Sequence, residues 1–386
     1  MPTFRAARLR RFAGLLLAAA VLSAGALAAA GDAAPGDAEA FDDLDEFELH
    51  ERTHLFDDRP LLRDTAHPDW WTMSFLDLRE DLEAAVAAGK QGIMVYFGQK
   101  HCAYCEALIE VNFGLEDIVT YTREHFDVIP IDIWGDRPVT DMQGRVLSEK
   151  AYAERERTNF TPAIIFYDAQ GREALRLRGY YPPYKFRAAL EYVADGHYAR
   201  ETFAAYLARA EPNLAFSPEE LIEEPFFEPP PHMLDRSRFA ADRPLAVFFE
   251  QGNCHACDIL HSEPLRDLRI VRRLEHFDAV QLDLWADTPL ITPAGRRTTA
   301  REWAEQLGVF YAPTLIFFDE GGREVFRIDS VVRFHRLAGV LEWIHTGGYR
   351  EEPYYQRWRE QHQPAEDTAG GRLSPEPAPG PGASSG

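Results

Sequence analysis

The four cysteines of this 386-residue chain form two pairs, and two residues separate the thiols of each pair. The pairs are Cys102 with Cys105 and Cys254 with Cys257. Thiols at this spacing can close a disulfide within one helical turn. Where the first thiol begins a helix, the unpaired N–H groups and the positive end of the helix dipole stabilise its thiolate. The thiolate is the nucleophile of disulfide exchange, so the spacing indicates two redox-active sites.

An apolar segment leads into each cysteine pair, and a helical pattern follows it. Residues 93–97 are rich in strand-forming side chains, the run breaks at Gly98, and the helical pattern continues through Leu108. Residues 245–249 precede the second pair in the same way. Each pair is therefore predicted at a turn between a buried strand and the start of a helix.

The two halves of the chain repeat one another beyond the cysteines. The second pair lies 152 residues after the first, and the matches downstream are offset by 151 residues. Thr161-Pro162, which opens an apolar run, corresponds to Ala312-Pro313. A near-constant offset over this length indicates a duplicated domain, and the unit is too long for a solenoid repeat. Proline at the entrance of each buried strand predicts a rigid X-Pro bond facing the active site, with the cis isomer as one option.

The order of predicted elements in each half is helix, strand, helix, strand, helix and then a strand hairpin closed by helices. This order predicts an α/β fold with two tandem domains, each a central mixed β-sheet with helices on both faces. In the first half, a helix over residues 74–89 is predicted to begin at a Ser74 cap, and residues 137–144 are predicted to form a loop. The second half is predicted to begin with a much shorter helix.

Composition divides the rest of the chain into segments. Residues 31–66 are acidic and lack periodicity, residues 211–231 are rich in Pro and Glu, and residues 363–386 are rich in Pro, Gly and Ser. These patterns predict a disordered lead-in, a semi-extended linker and a disordered tail. The predicted boundaries are 1–30 for a signal peptide, 31–66 for the lead-in, 67–210 for the first domain, 211–231 for the linker, 232–362 for the second domain and 363–386 for the tail.

The first thirty residues predict an export signal. A basic start precedes the apolar run over residues 12–27, and small residues follow it before Gly31. This pattern is typical of a cleavable signal peptide. A retained membrane anchor is the alternative, and the short, Ala-rich run argues against it. The prediction is an exported, periplasmic protein with no stable membrane insertion after cleavage.

The formal net charge is −22 and becomes −26 once the four arginines of the signal are removed. Such an acidic surface argues against nucleic acid or an anionic membrane as a partner. All four cysteines belong to the two pairs, so none remains for a separate structural disulfide. In an oxidising compartment, the absence of other cysteines indicates that the two pairs are redox-active rather than structural disulfides.

These features together resemble the thioredoxin superfamily, and within it the exported, SoxW-like, thioredoxin-2-type proteins of bacteria. The resemblance covers about residues 67–205 and 235–360 and rests on the strand–CxxC–helix stretches and the X-Pro strand entrances. It implies that Cys102 and Cys254 attack and that their partners Cys105 and Cys257 resolve. It also implies that the residues around the cis-prolines bind the extended substrate chain. Those substrate-binding residues are Thr161, Pro162, Ala312 and Pro313.

The sequence departs from thioredoxin in the residues that handle protons. Thioredoxins carry a buried Asp six residues before the first cysteine, where this chain has Tyr96 and Phe248. His101 and His255 flank the nucleophiles, and a protonated imidazole there would favour the thiolate. Exposed histidines with little effect are the alternative. Glu250 lies four residues before Cys254 and is a candidate proton acceptor for Cys257; the alternative is a solvated carboxylate.

The sequence therefore predicts an exported thiol-disulfide oxidoreductase that acts on protein thiols and disulfides, and the resemblance favours a reductase supplied by a membrane electron donor. A disulfide oxidase or isomerase and a non-catalytic binding module are the alternatives. A relay of electrons between the two sites is also open. No cofactor or metal is predicted. Glu106 and Asp258 stand where a c-type haem needs His, and a zinc site shared by four thiolates has nothing in its favour.

Overall fold

The structure is a computed structural model, and it describes residues 56–210 and 221–362. The predicted signal peptide and tail, most of the lead-in and part of the linker lie outside these described residues. Among the helices of the described part, none is long and apolar enough to cross a membrane.

The first domain contains the predicted strands and helices in the predicted order. Its helices are α1 (Leu78–Ala87), α2 (Ala103–Ala107), α3 (Glu116–His125), α4 (Glu149–Arg155), α5 (Pro183–Ala194) and α6 (Phe203–Ala210). Its strands are β1 (Gly92–Gly98), β2 (Phe126–Asp132), β3 (Pro138–Thr140), β4 (Val146–Ser148), β5 (Ala163–Asp168) and β6 (Glu173–Arg178). A π-helical turn, Leu108–Asn112, continues α2, and a 3-10 turn, His197–Ala199, precedes α6.

The second domain repeats this order. Its strands are β7 (His232–Met233), β8 (Leu245–Glu250), β9 (Asp278–Asp283), β10 (Pro289–Ile291), β11 (Arg297–Thr299), β12 (Thr314–Phe318) and β13 (Glu324–Ile328). Its helices are α7 (His255–Ser262), α8 (Leu268–Leu274), α9 (Ala300–Leu307), α10 (Phe334–His345), α11 (Gly348–Glu351) and α12 (Tyr355–His362), with a 3-10 turn at Pro264–Arg266.

Each domain has a four-stranded mixed sheet, as predicted. The strand order is β2-β1-β5-β6 in the first domain and β9-β8-β12-β13 in the second. The strand that leads into the cysteines pairs in parallel with one neighbour and antiparallel with the other, so Val95 lies between Ile129 and Ile165. All seven residues of β1 and all six of β8 are buried, because helices cover both faces of each sheet.

Alternation along the central strand determines which side chains lie beneath the cysteines. Met94 and Tyr96 pack in the core cluster that contains Cys102 and Cys105, whereas Ile93 and Val95 face the opposite cluster. In the second domain, Ala246 and Phe248 lie on the corresponding face. Apolar or aromatic side chains therefore lie beneath both pairs, and in the second domain the buried Glu250 continues the same face of β8.

Two predictions for the first domain are wrong. Helix α1 begins after Asp77, which accepts hydrogen bonds from the N–H groups of Arg79 and Glu80 and so takes the capping role predicted for Ser74. The chain turns at Leu76, where φ is +66°, and this turn delays the helix. Residues 137–144 are not all loop, since β3 pairs antiparallel with β4.

The second domain lacks the predicted short leading helix, since residues 221–244 contain none. Strand β7 lies there instead and pairs in parallel with β10. The described part of the predicted linker, residues 221–231, packs on the second domain. The ring of Phe227 lies 5.0 Å from that of Phe248, and the Glu228 N–H donates to the Ala279 carbonyl at 2.8 Å.

The two domains exchange aromatic side chains at their interface. Phe160 of the first domain packs in the core of the second, with its ring 4.9 Å from that of Phe326. The corresponding Tyr311 of the second domain packs in the core of the first, 5.5 Å from Tyr181. The Val331 N–H donates to the Tyr180 carbonyl across the same interface at 3.0 Å. Each core is therefore completed by the other domain.

Candidate active sites

Each cysteine pair lies at the start of a helix and is closed as a disulfide. The sulfurs are 2.10 Å apart in the Cys102–Cys105 pair and 2.07 Å apart in the Cys254–Cys257 pair. The first cysteine of each pair caps its helix, and its Sγ accepts the N–H of the second cysteine at 3.1 Å in the first pair and 3.2 Å in the second. On reduction this N–H and the helix start would stabilise a thiolate at the first cysteine.

The proline loops lie beside the first cysteine of each pair. The Thr161–Pro162 and Ala312–Pro313 bonds are cis. Thr161 Oγ1 lies 3.3 Å from Cys102 Sγ, whereas at the second site the Ala312 carbonyl oxygen lies 3.6 Å from Cys254 Sγ. A hydroxyl can donate to a thiolate, but a carbonyl oxygen cannot. The two sulfurs therefore have different neighbours, although the backbones around them correspond.

A hydrogen-bonded chain orients the Thr161 hydroxyl. Trp134 Nε1 donates to Gln99 Oε1 at 2.8 Å, and Gln99 Nε2 donates to Thr161 Oγ1 at 2.9 Å. The hydroxyl oxygen of Thr161 thus already accepts a hydrogen bond from Gln99. Its own proton is left for Cys102 Sγ.

The histidines predicted as modulators lie at the surface. His101 has φ of +56°, and its ring Nδ1 lies 3.2 Å from the Arg63 carbonyl. Asn253 holds the same position before the second pair, with φ of +49°. His255 is the first residue of α7 and is exposed. An influence of either imidazole on its neighbouring thiolate stays a prediction.

Glu250 is buried, not solvated, and it belongs to a polar cluster beneath the second pair. Its Oε2 lies 2.9 Å from Nε2 of His261, and Nδ1 of the same ring lies 3.1 Å from Glu224 Oε1. Burial opposes protonation of His261, but its hydrogen bonds and attraction to the two glutamates outweigh burial and raise its pKa. Glu250 Oε1 is buried without a partner in the described part of the chain, so Glu250 stays a candidate proton acceptor for Cys257.

This cluster predicts a pH-dependent contribution to stability. A His whose folded pKa is raised stabilises the fold fully below its unfolded pKa, about 6.5, and loses this contribution as pH rises through the folded value. We expect His261→Gln to lower the free energy of unfolding by about 1 to 3 kcal/mol at pH 6 and by much less at pH 9. Urea unfolding at the two pH values measures this difference.

The control is His345→Gln. Burial and the neighbouring His276 lower the pKa of His345, so the cost of that substitution should grow with pH instead. A His261→Gln cost that is equal at pH 6 and pH 9 would contradict the prediction.

The surroundings of the two sites differ in exposure. Between the cysteines of the first pair, Ala103 and Tyr104 are 6% and 5% exposed. At the corresponding positions of the second pair, His255 is exposed and Ala256 is half-buried. Thr161 is 1% exposed, whereas Ala312 is half-buried. The attacking cysteines are buried to a similar extent, with Cys102 5% and Cys254 8% exposed, so it is the residues around them that are more covered at the first site and more open at the second.

One group of side chains in the described residues has the spacing of a metal site, namely Asp57, Asp58 and His335. Both oxygens of Asp58 already accept hydrogen bonds, one of them from the Tyr104 hydroxyl at 3.0 Å. This group therefore acts as a hydrogen-bonding cluster. The sulfurs of each cysteine pair are bonded to one another, so in this form neither pair presents thiolate ligands to a metal.

Sequence reasoning did not find His261, Asp58 or Arg336. His261 follows Cys257 by four residues on one helix, and that spacing places both on the same face, so a local signal existed. Asp58 and Arg336 are 278 residues apart in sequence, so no local sequence signal indicated their contact.

The model of the family described as a thioredoxin-like domain matches the chain twice, over residues 78–194 and 237–344. These two matches together cover more than half of the chain and include both cysteine pairs. No curated protein matches it.

Several solved structures are similar to one part of the chain. A thioredoxin-fold protein from Helicobacter pylori is 27% identical over 32% of this chain and 84% of its own, with a TM-score of 0.27. A thioredoxin from Thermus thermophilus is 26% identical over 31% of this chain and 84% of its own, with a TM-score of 0.24. The C-terminal domain of DsbD from Neisseria meningitidis is 16% identical over 27% of this chain and 82% of its own, with a TM-score of 0.22.

Proposed function

This chain belongs to the thioredoxin-like family and is a thiol-disulfide oxidoreductase with two CxxC sites, and from that premise we propose that it reduces disulfides of exported protein clients. The observation that carries the proposal is the placement of each first cysteine, which caps a helix beside a cis-proline loop. A thiolate there has stabilising N–H donors, and its partner cysteine is placed to resolve the intermediate.

The proposed reaction starts from the dithiol form of a site. The thiolate of the first cysteine attacks one sulfur of the client disulfide, forms a mixed disulfide and releases the other client sulfur as a thiolate. The thiolate of the second cysteine then attacks the first cysteine and releases the remaining client sulfur. The client gains two electrons and two protons. The site becomes a disulfide, which is the form of both pairs in this structure.

A carboxylate next to the second pair in sequence and the charge of the whole chain support the reducing direction. Asp258 directly follows Cys257, whereas Glu106, which follows Cys105, is ion-paired with Arg63. The whole chain carries a net charge of −22. Negative charge disfavours a thiolate, destabilises the dithiol form and makes a pair a stronger reductant.

The basic and apolar start of the chain supports export to an oxidising compartment, the periplasm. A reductase there must be recharged, so the proposal includes a membrane-bound dithiol donor that returns two electrons to each oxidised pair. The clients are proteins with disulfides, since the family acts by exchange with protein thiols.

The test is the reduction potential of each pair, measured by alkylation and mass spectrometry in a dithiothreitol or glutathione series. We expect values towards the thioredoxin end, about −270 mV, and values of about −120 to −180 mV would overturn the reducing direction in favour of an oxidase or isomerase. If neither pair titrates, the exchange activity itself is refuted and a binding module takes its place.

The Thr161 hydroxyl adds a prediction about the difference between the pairs. It donates to the Cys102 thiolate and stabilises the dithiol form, so the first pair should have the higher potential by about 30 mV or more. Thr161→Val removes the hydroxyl at nearly constant shape and should abolish most of that difference. Electrons would then have no preferred direction from the second pair to the first.

A further inference from the structure

The first site is covered by two elements that are distant from it in sequence. One is the strap, which we define as residues 56–66, and the other is the start of α10 in the second domain. The strap runs beside the first pair, where the Leu61 N–H donates to the His101 carbonyl at 3.1 Å and Arg63 forms an ion pair with Glu106. The strap and the second domain together surround the CxxC helix.

Asp58 of the strap joins these elements. Its carboxylate accepts the N–H groups of His335 at 3.0 Å and Arg336 at 2.8 Å, at the start of α10. The side chain of Arg333, the N-cap residue of α10, makes no capping hydrogen bond, so Asp58 supplies the missing acceptor. The same carboxylate accepts the hydroxyl of Tyr104, which lies between the two cysteines.

Arg336 reaches the active site itself. Its Nη2 donates to the Thr161 carbonyl at 2.8 Å, and its guanidinium lies 3.4 Å from the centre of the Tyr104 ring. Arg336 is 5% exposed, and Asp58 lies nearby as its counter-charge. A client chain that approaches Cys102 would have to displace this side chain from Thr161.

The cover is held by contacts that also have a cost. Burial of a guanidinium is unfavourable, and Arg336 Nη1 has no hydrogen-bond partner among the described residues. An unpaired buried N–H offsets part of the gain from the bond to Thr161. Displacement of the Arg336 side chain alone is therefore less costly than its contacts suggest, whereas separation of the two domains would also expose Phe160 and Tyr311.

We propose that Asp58 and Arg336 hold the first site closed to protein partners, so that a protein partner exchanges with the second site unless the Arg336 side chain is displaced from Thr161. This inference rests on the proposed function and assigns different access to its two sites. The second site has an exposed His255 and a half-buried Ala312 where the first has a buried Ala103 and Thr161. Small dithiols, by contrast, should open both pairs.

The test measures how quickly each disulfide of the full-length protein is reduced, by alkylation and site-resolved mass spectrometry. Two reductants are compared, dithiothreitol and reduced thioredoxin, which is a protein dithiol. For each pair we take the ratio of its reduction rate by thioredoxin to its reduction rate by dithiothreitol. We expect this ratio to be at least about tenfold lower at the first pair than at the second. A tenfold difference corresponds to the loss of one charge-assisted hydrogen bond when the first site opens.

Arg336→Ala and Asp58→Ala should each raise this ratio at the first pair and leave it unchanged at the second. Arg323→Ala, which removes an exposed arginine of the same domain, should change neither. Circular dichroism establishes that each variant is folded. Equal ratios at the two pairs in the wild type would overturn the proposal, as would folded Arg336→Ala and Asp58→Ala proteins that keep the wild-type ratio. If dithiothreitol opens neither pair, the proposed function itself fails, and that outcome is distinct from equal ratios.

Discussion

Replacement of Cys254 by serine is expected to reduce the turnover of a protein disulfide by about tenfold or more, to the rate that the covered first pair supports. A serine hydroxyl does not attack a disulfide at neutral pH, since a thiolate is the required nucleophile. Cys254 lies at the more open of the two sites, so its loss should remove more activity towards a protein substrate than the loss of Cys102. The measurement is the initial rate of reduction of a disulfide-bonded protein with dithiothreitol as the electron source.

Two variants serve as controls for that result. Cys102→Ser should keep most of the turnover of a protein disulfide. Cys257→Ser should trap a mixed disulfide, because Cys254 can attack but has no partner to release it. Gel mobility under non-reducing conditions detects the trapped species. A Cys254→Ser protein with wild-type turnover would show that the second site does not carry the exchange.

Phe160→Ala is expected to destabilise the second domain, although Phe160 belongs to the first. Its ring packs against Phe326 and Tyr355 in the second core, at 4.9 Å and 5.7 Å between ring centres. Removal of a buried Phe side chain costs about 3 to 5 kcal/mol through lost burial and the cavity left behind. Hydrogen exchange measured by mass spectrometry should therefore show lower protection in β13 and α12 than in β1.

Tyr311→Ala is the reciprocal control, since Tyr311 lies in the second domain and packs in the core of the first. It should lower protection in the first domain, around Tyr181. If each substitution affected only the domain that contains it, the exchange of aromatic side chains would not contribute to stability.

Local sequence patterns predicted the parts of the fold that depend on neighbouring residues. The run from Ile93 to Phe97 is a strand and the helix after Cys102 starts at Ala103, because strand propensity and helix capping act over a few residues. The cis bonds before Pro162 and Pro313 were indicated by proline at the entrance of each strand.

The wrong predictions concern choices that the local pattern leaves open. Ser74 and Asp77 are both good capping residues, and the turn at Leu76 decides in favour of Asp77. Strands β3 and β4 have three residues each, which is too short for alternation to be recognised. The buried state of Glu250 depends on His261 and Glu224 around it.

The sequence by itself determined the duplicated α/β fold, the two cysteine pairs and the proline loops beside them, because strand alternation, helix starts and repeat offsets are local or periodic properties of the chain. Only the tertiary structure decided that Thr161 donates to Cys102 while a carbonyl faces Cys254, and that Asp58 and Arg336 cover the first site. Contacts between residues far apart in sequence depend on the packing of both domains. No periodic or local sequence pattern predicts that the carboxylate of Asp58 and the guanidinium of Arg336 lie close together.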